Sequence, residues 1–141
     1  MYPTPAPYYI IISLKSQVLL SFLKIRVVVN KKEIFPLINQ KPVVIAVEQN
    51  NPRIVATDGF HFTKPLELKY DGPGYYKFKV DCAIDDLQLL GAAFLLVLFY
   101  LTGFFTGFLA LKILSFVPIV WVLFFYYLNR RKFIRIVPAG R

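Results

Sequence analysis

The sequence predicts a small antiparallel β-sandwich, an all-β N-terminal part, followed by an α-helical transmembrane hairpin of two helices. Three observations predict it. Residues 87–128 form a 42-residue run whose one charge is Lys112. Residues 8–82 break into short alternating segments parted by polar turns, the pattern of strands. A basic cluster of Arg130, Arg131, Lys132 and Arg135 abuts the apolar run, where cations meet lipid headgroups.

Residues 1–7 carry Pro3, Pro5 and Pro7, and alternate prolines favour an extended arm. A domain over residues 8–84 follows. Its first stretch, 8–29, is apolar, but Lys15, Ser16 and Gln17 cut it into pieces too short to span a bilayer, so it reads as strands. Residues 30–33 make a polar turn before a strand over 34–38, which Pro36 confines to a sheet edge or a bulge. Turns over 39–41 and 48–52 flank a strand over 42–47, and Asp58-Gly59 closes the strand over 53–57. No segment here repeats with helical period.

The last two strands of this domain alternate plainly. Leu66 and Leu68 alternate with Glu67 and Lys69, and Tyr76, Phe78, Val80 and Cys82 alternate with Lys77, Lys79 and Asp81. Pairing Leu68 with Phe78 keeps both apolar rows on one face and leaves residues 71–75 as the loop. A one-residue slip would set Leu68 against Lys77 and mix the faces. The expectation is a β-hairpin with Glu67 facing Lys79, or facing Lys77 in a register shifted by two.

The hairpin of membrane helices is expected over residues 85–129. One helix of 42 residues would reach about 63 Å, twice the hydrocarbon thickness of about 30 Å. Two helices fit, near 87–103 and 109–128. Asp85 and Asp86 suit the positive end of the first helix. Tyr126 and Tyr127 form an aromatic belt at the end of the second, and Pro118 should kink it. Lys112 lies one turn inside that helix, close enough for its ammonium to snorkel to the far surface. Lys112, Tyr126, Tyr127, Arg130, Arg131, Lys132 and Arg135 are thus the expected lipid-interface residues. The last of them belong to a basic tail over 130–141.

Gly91 and Ala92, with Ala93, are the expected site of close helix packing. Gly103 and Gly107 also match the small-residue spacing that lets helices approach. They fall where a turn is needed, however, and the turn is the preferred reading of that pair.

Charge sets sidedness. All 8 acidic residues lie within 1–86 with 11 of the 17 Lys and Arg, a net +3; the rest of the chain carries +6. Basic residues flank both outer ends of the hairpin, while its short connection offers Lys112 alone. The positive-inside rule then makes both termini cytoplasmic. With no signal-peptide pattern before the first strands, a bacterial inner membrane is the expected location.

Chemistry is scarce. One cysteine, Cys82, excludes an intrachain disulfide; it continues an apolar row and reads as a buried small side chain. His61 is the single histidine and reads as a loop residue, three positions after Asp58. Asp81, Asp85 and Asp86 read as helix capping and a solvated linker. No nucleophile motif, phosphate loop or metal-ligand spacing is present, so no enzyme activity, cofactor or metal is expected. A transporter would need ionisable groups near the bilayer midplane, and Lys112 sits near an end.

The expected function is a non-catalytic accessory or scaffolding subunit of a larger membrane complex. The alternative is a membrane-tethered module whose β domain binds a peptide or ligand. Expected partners are other integral membrane subunits and anionic lipid headgroups, with no nucleic acid.

Overall fold

The computed structural model describes residues 8–38, 41–48, 51–69, 72 and 74–139. The N-terminal arm at 1–7 and parts of the turns at 39–40, 49–50 and 70–73 lie outside the described residues. Thirteen elements follow in order. They are β1 (Tyr8–Leu14), α1 (Val18–Ser21), β2 (Arg26–Val29), β3 (Glu33–Pro36), β4 (Val43–Val47), β5 (Arg53–Thr57), β6 (Leu66–Glu67) and β7 (Tyr75–Cys82). Then come α2 (Asp86–Thr106), α3 (Leu109–Leu114), α4 (Val117–Tyr127), α5 (Arg130–Phe133) and β8 (Ile134–Pro138).

The strands form two four-stranded sheets, ordered β4-β1-β7-β8 and β3-β2-β5-β6. Alternation decides which side chains face inward. Tyr8, Ile10 and Ile12 of β1, Val27 and Val29 of β2, and Phe78, Val80 and Cys82 of β7 are all buried. Their sequence neighbours lie on the opposite face of each strand, as the pleat requires. β3 is an edge strand that ends on Pro36, where a missing N–H interrupts no ladder.

Three features depart from the expected antiparallel sandwich. First, β1 and β7 run parallel, with Ile10 opposite Tyr76 and Ile12 opposite Phe78. That sheet is mixed. Second, the expected hairpin between residues 66–70 and 76–82 does not form. Leu66 and Glu67 pair instead with Ile54 and Arg53 of β5, in the other sheet, while β7 lies between β1 and β8. The physical reason is ladder length. β1 offers β7 six registered partners, whereas β6 is two residues long.

Third, the segment expected as a free basic tail is part of the β unit. Ile134 pairs with Cys82, Arg135 with Asp81 and Ile136 with Val80. Among the described residues the β unit therefore comprises those of 8–83 together with 131–139, and 84–130 form a second unit. The helical segment is, in connectivity, the loop between two neighbouring antiparallel strands. Ala83 N–H donates to the Phe133 carbonyl at 2.8 Å and closes that junction.

Candidate functional site

The helical segment begins with a capping box. Asp85 is the N-cap, in extended backbone at φ −72° and ψ 156°, and accepts from the Gln88 N–H with its carboxylate. The Gln88 side-chain oxygen accepts in return from the Asp85 N–H at 3.2 Å. The reciprocal bonds satisfy two donors that a helix start leaves free. α2 stops at Gly107, whose φ of +72° is left-handed. A side chain is disfavoured there, which makes glycine the natural stop.

Gly103 has a different task. A Cβ built on it would lie 3.0 Å from the Leu111 Cβ, the Lys112 Cγ and the Lys112 backbone nitrogen. The two glycines of the matched spacing thus divide the work, one at the close approach of α2 to α3 and the other at the turn. Gly91, expected to pack closely, is exposed and has no atom within 4 Å of its would-be Cβ. Close packing at Gly91 is therefore not made within the chain. Ala92 does lie between helices, beside Leu89, Pro118, Ile119 and Val122 in an open apolar groove of α2 and α4. The helices approach where the tight connection forces them together at Gly103, and the groove opens farther along.

The second helical stretch is interrupted after α3. Pro118 has no N–H for the Leu114 carbonyl, and its ring crowds that turn. Ser115 is buried and donates its hydroxyl to the Lys112 carbonyl. Thr102 and Thr106 likewise donate to carbonyls one turn earlier, Leu98 and Thr102. Every hydroxyl of the segment named here bonds back to its own helix, the arrangement that an apolar solvent demands. Asp86–Thr106 and Leu109–Tyr127 are long and apolar enough to cross a membrane. Only 6% of each span is buried within the chain.

Lys112 sits one turn past the connection, with its ammonium 5.5 Å from the Phe104 ring centroid. That distance permits a cation–π contact. Tyr126 and Tyr127 end α4 as an edge-to-face pair with centroids 5.0 Å apart. Arg130, Arg131 and Lys132 are exposed on α5. Arg135 is separated from them by its role in β8. Its guanidinium donates two bonds of 3.0 Å to the Asp81 carboxylate. Asp81 is therefore bound to a strand partner, and the expected cluster of Asp81, Asp85 and Asp86 is divided between an ion pair and a helix cap.

The β unit holds one polar arrangement that the sequence reading placed in a surface loop. His61 is completely buried. Its Nδ1 lies 2.8 Å from the Asp58 Oδ2, and its ring stacks on Phe133 with centroids 4.5 Å apart. Asp58 Oδ1 also accepts from the N–H groups of Phe60 and His61. Burial works to raise the Asp58 carboxyl. The hydrogen bonds from the His61 side chain and from the two N–H groups, with the attraction of His61, outweigh it and hold the group below the ordinary carboxylate value.

Thr57 and Thr63 complete the turn. Thr57 donates to the His61 carbonyl, and Thr63 accepts from the Ala56 N–H. The arrangement latches this turn onto Phe133, the residue before β8. The signal for it was the Asp58-Gly59 turn with a histidine three residues on. Nothing in that local pattern specifies the ring of Phe133 as the lid. No cluster of three or more His, Cys, Asp or Glu residues suited to a metal occurs among the described residues.

Comparison with protein-family models, with curated proteins and with solved structures gives no match.

Proposed function

We propose that the chain is a non-catalytic accessory or scaffolding subunit of a larger membrane protein complex. The helical segment anchors it, and the β unit supports the assembly on one side of the bilayer. The observation that carries this reading is the exposure of both apolar helices. Phe94, Phe104, Phe105, Phe116, Val120 and Phe124 all face outward. Two helices with such rings exposed need lipid or other helices around them, and large rings suit packing against a membrane partner.

The strand pairing supports the sidedness. Cys82 and Ile134 are registered neighbours, so the two strands that lead into and out of the helical segment are held side by side. Lys77, Lys79, Arg130, Arg131 and Lys132 flank its outer ends, and the positive-inside rule puts those ends in the cytoplasm. A bacterial inner membrane is the location we propose. Other integral membrane subunits are the proposed partners, with anionic headgroups at Arg130, Arg131 and Lys132.

Purification of the full chain in a gentle detergent, with mass spectrometry of whatever accompanies it, tests this reading. The expected result is one or a few membrane proteins in fixed proportion, lost when Phe105 and Phe116 are replaced by alanine. Recovery of this chain without any other protein would overturn it. The alternative, a tethered module that binds a peptide at a sheet edge, is favoured by one observation: β4 pairs on one side only among the described residues.

A further inference from the structure

An exposed large apolar side chain marks a contact surface when others gather round it. In the β unit that side chain is Phe22, 80% exposed, more than any other large apolar residue of this unit among the described residues. Phe22 ends the α1 turn, and Val18, four positions earlier on the same helical face, is 48% exposed. Leu20 is the buried side of the turn. Ile38, also exposed, lies alongside, because the Leu37 N–H donates to the Ile25 carbonyl at 2.9 Å. Leu20, Leu23, Lys24 and Ile38 border one open groove.

Hydrogen bonds fix where this patch lies. The Lys15 N–H donates to the Val80 carbonyl at 2.9 Å, and the Gln17 side-chain oxygen accepts from the Cys82 N–H at 2.7 Å. The turn is thereby fastened to the last residue of β7. Asp86, the first residue of α2, comes four positions later in the chain, a span that extended backbone covers in about 14 Å. The end of the β unit that carries α1 is thus the end from which the chain leaves for the helical segment.

Charge is sorted along the same direction. Lys24 and Arg26 follow Phe22, Lys41 donates its N–H to the Ile38 carbonyl, and all three are exposed. The carboxylates at this end of the β unit are engaged, Asp58 with His61 and Asp81 with Arg135. All three glutamates of the chain lie at the opposite strand ends. Glu33 pairs with Val29, Glu67 pairs with Arg53, and Glu48 follows Val47, the partner of Tyr8.

We propose that the α1 turn docks on an anionic lipid bilayer. Val18 and Phe22 enter the boundary between headgroups and acyl chains, and Lys24, Arg26 and Lys41 meet the phosphates. An apolar tip beside cations is the composition of an interfacial segment, and each cation near such a surface favours binding by about fivefold. The tether selects lipid over a protein partner, because a bilayer crossed by α2 begins within reach of Cys82. The inference rests on the anchoring of the helical segment and not on the accessory-subunit reading.

Lipid quenching in vesicles tests it. Full-length Ser21→Cys, Lys32→Cys and Leu95→Cys chains carry a fluorophore on the new thiol and are reconstituted in phosphatidylcholine with or without phosphatidylglycerol. The parent, whose single cysteine is buried, should take no label. With phosphatidylglycerol present, nitroxides high on the acyl chains should quench the Ser21 probe at least about fivefold more than the Lys32 probe. Acrylamide in the water should show the reverse order. Lys24→Glu with Arg26→Glu should lower the lipid quenching at Ser21 by about tenfold, and Phe22→Ser should lower it as well.

Lipid quenching at Leu95 without lipid quenching at Ser21 would overturn this inference and leave the anchor standing. Lipid quenching at neither position would overturn both. Shielding of the Ser21 probe from acrylamide without lipid quenching would assign the patch to a protein contact, against the proposal. Unchanged quenching in the chain with both charge reversals would also overturn it.

Discussion

The β unit and the helical segment draw on the same apolar side chains and treat them in opposite ways. In the β unit Ile10, Ile12, Val27, Ile54 and Val80 are 0% exposed. In the helical segment Leu87, Phe105 and Leu128 are 79%, 81% and 71% exposed. Polar groups follow suit. Gln17 is buried in the β unit because its side-chain oxygen accepts from the Cys82 N–H, 65 residues away, at 2.7 Å. Thr102, Thr106 and Ser115 instead bond within one turn of their own helices. One region therefore folds by bringing distant residues together. The other satisfies its backbone and hydroxyls locally and turns its side chains outward, as suits a segment whose solvent is hydrocarbon.

The contrast is broken most directly at Phe133. Its ring is 1% exposed and covers His61. Phe133→Ala should cost about 4 kcal/mol, the usual loss for a buried ring. Denaturant titration with the thiol of Cys82 as the probe of opening reads it out. A change below about 1 kcal/mol would mean that this latch does not hold the unit together.

The helical side is tested by Leu95→Arg, near the middle of α2, where the leucine is 44% exposed. In a bilayer the substitution should oppose insertion by about 3 kcal/mol. On a water-exposed helix it would change stability by no more than about 0.5 kcal/mol. A translocon insertion assay separates these outcomes.

Asp58→Asn comes next, with an expected loss of about 2 kcal/mol near neutral pH, because hydrogen bonds to a charged group go. The folded carboxyl lies below its ordinary value. Its contribution is therefore complete above the unfolded value of about 3.9 and disappears as pH falls through the lower folded value. The gap between variant and parent should close in that acidic window. A gap that stays constant to strongly acidic pH would show that the charge of Asp58 does not matter.

The smallest effects sharpen the picture of the glycines. Gly107→Ala must adopt left-handed backbone and should cost about 1 kcal/mol. Gly91→Ala meets open space and should be neutral or slightly favourable to the helix. Thermal unfolding in detergent compares them. Identical melting of both variants would remove the distinction between a conformational glycine and a free one.

Much of this arrangement was legible from residue order. Period-two alternation identified the buried rows of β7, and Pro36 marked β3 as an edge. Composition over 87–128 marked two helices, with Pro118 as the interruption. The pairing of β7 was not legible, since alternation specifies faces and says nothing of neighbours. The same pattern also ran through Ile134, Arg135 and Ile136. It was read as a basic tail because four basic residues within six positions dominate that stretch. His61 escaped for a related reason, since its lid, Phe133, lies 72 residues later.

By itself, then, the sequence determined the polarity of each region and the periodicity of each element. These are local properties, set by side-chain polarity and backbone preference over a few residues. Only the tertiary structure decided that residues on both sides of the helical pair in the sequence, 8–83 and 131–139, build one β unit. It also decided that Asp81 answers Arg135, and that β4 pairs on one side only among the described residues. Strand partnership is a competition among all available edges, and its outcome depends on contacts that no short stretch of residues contains.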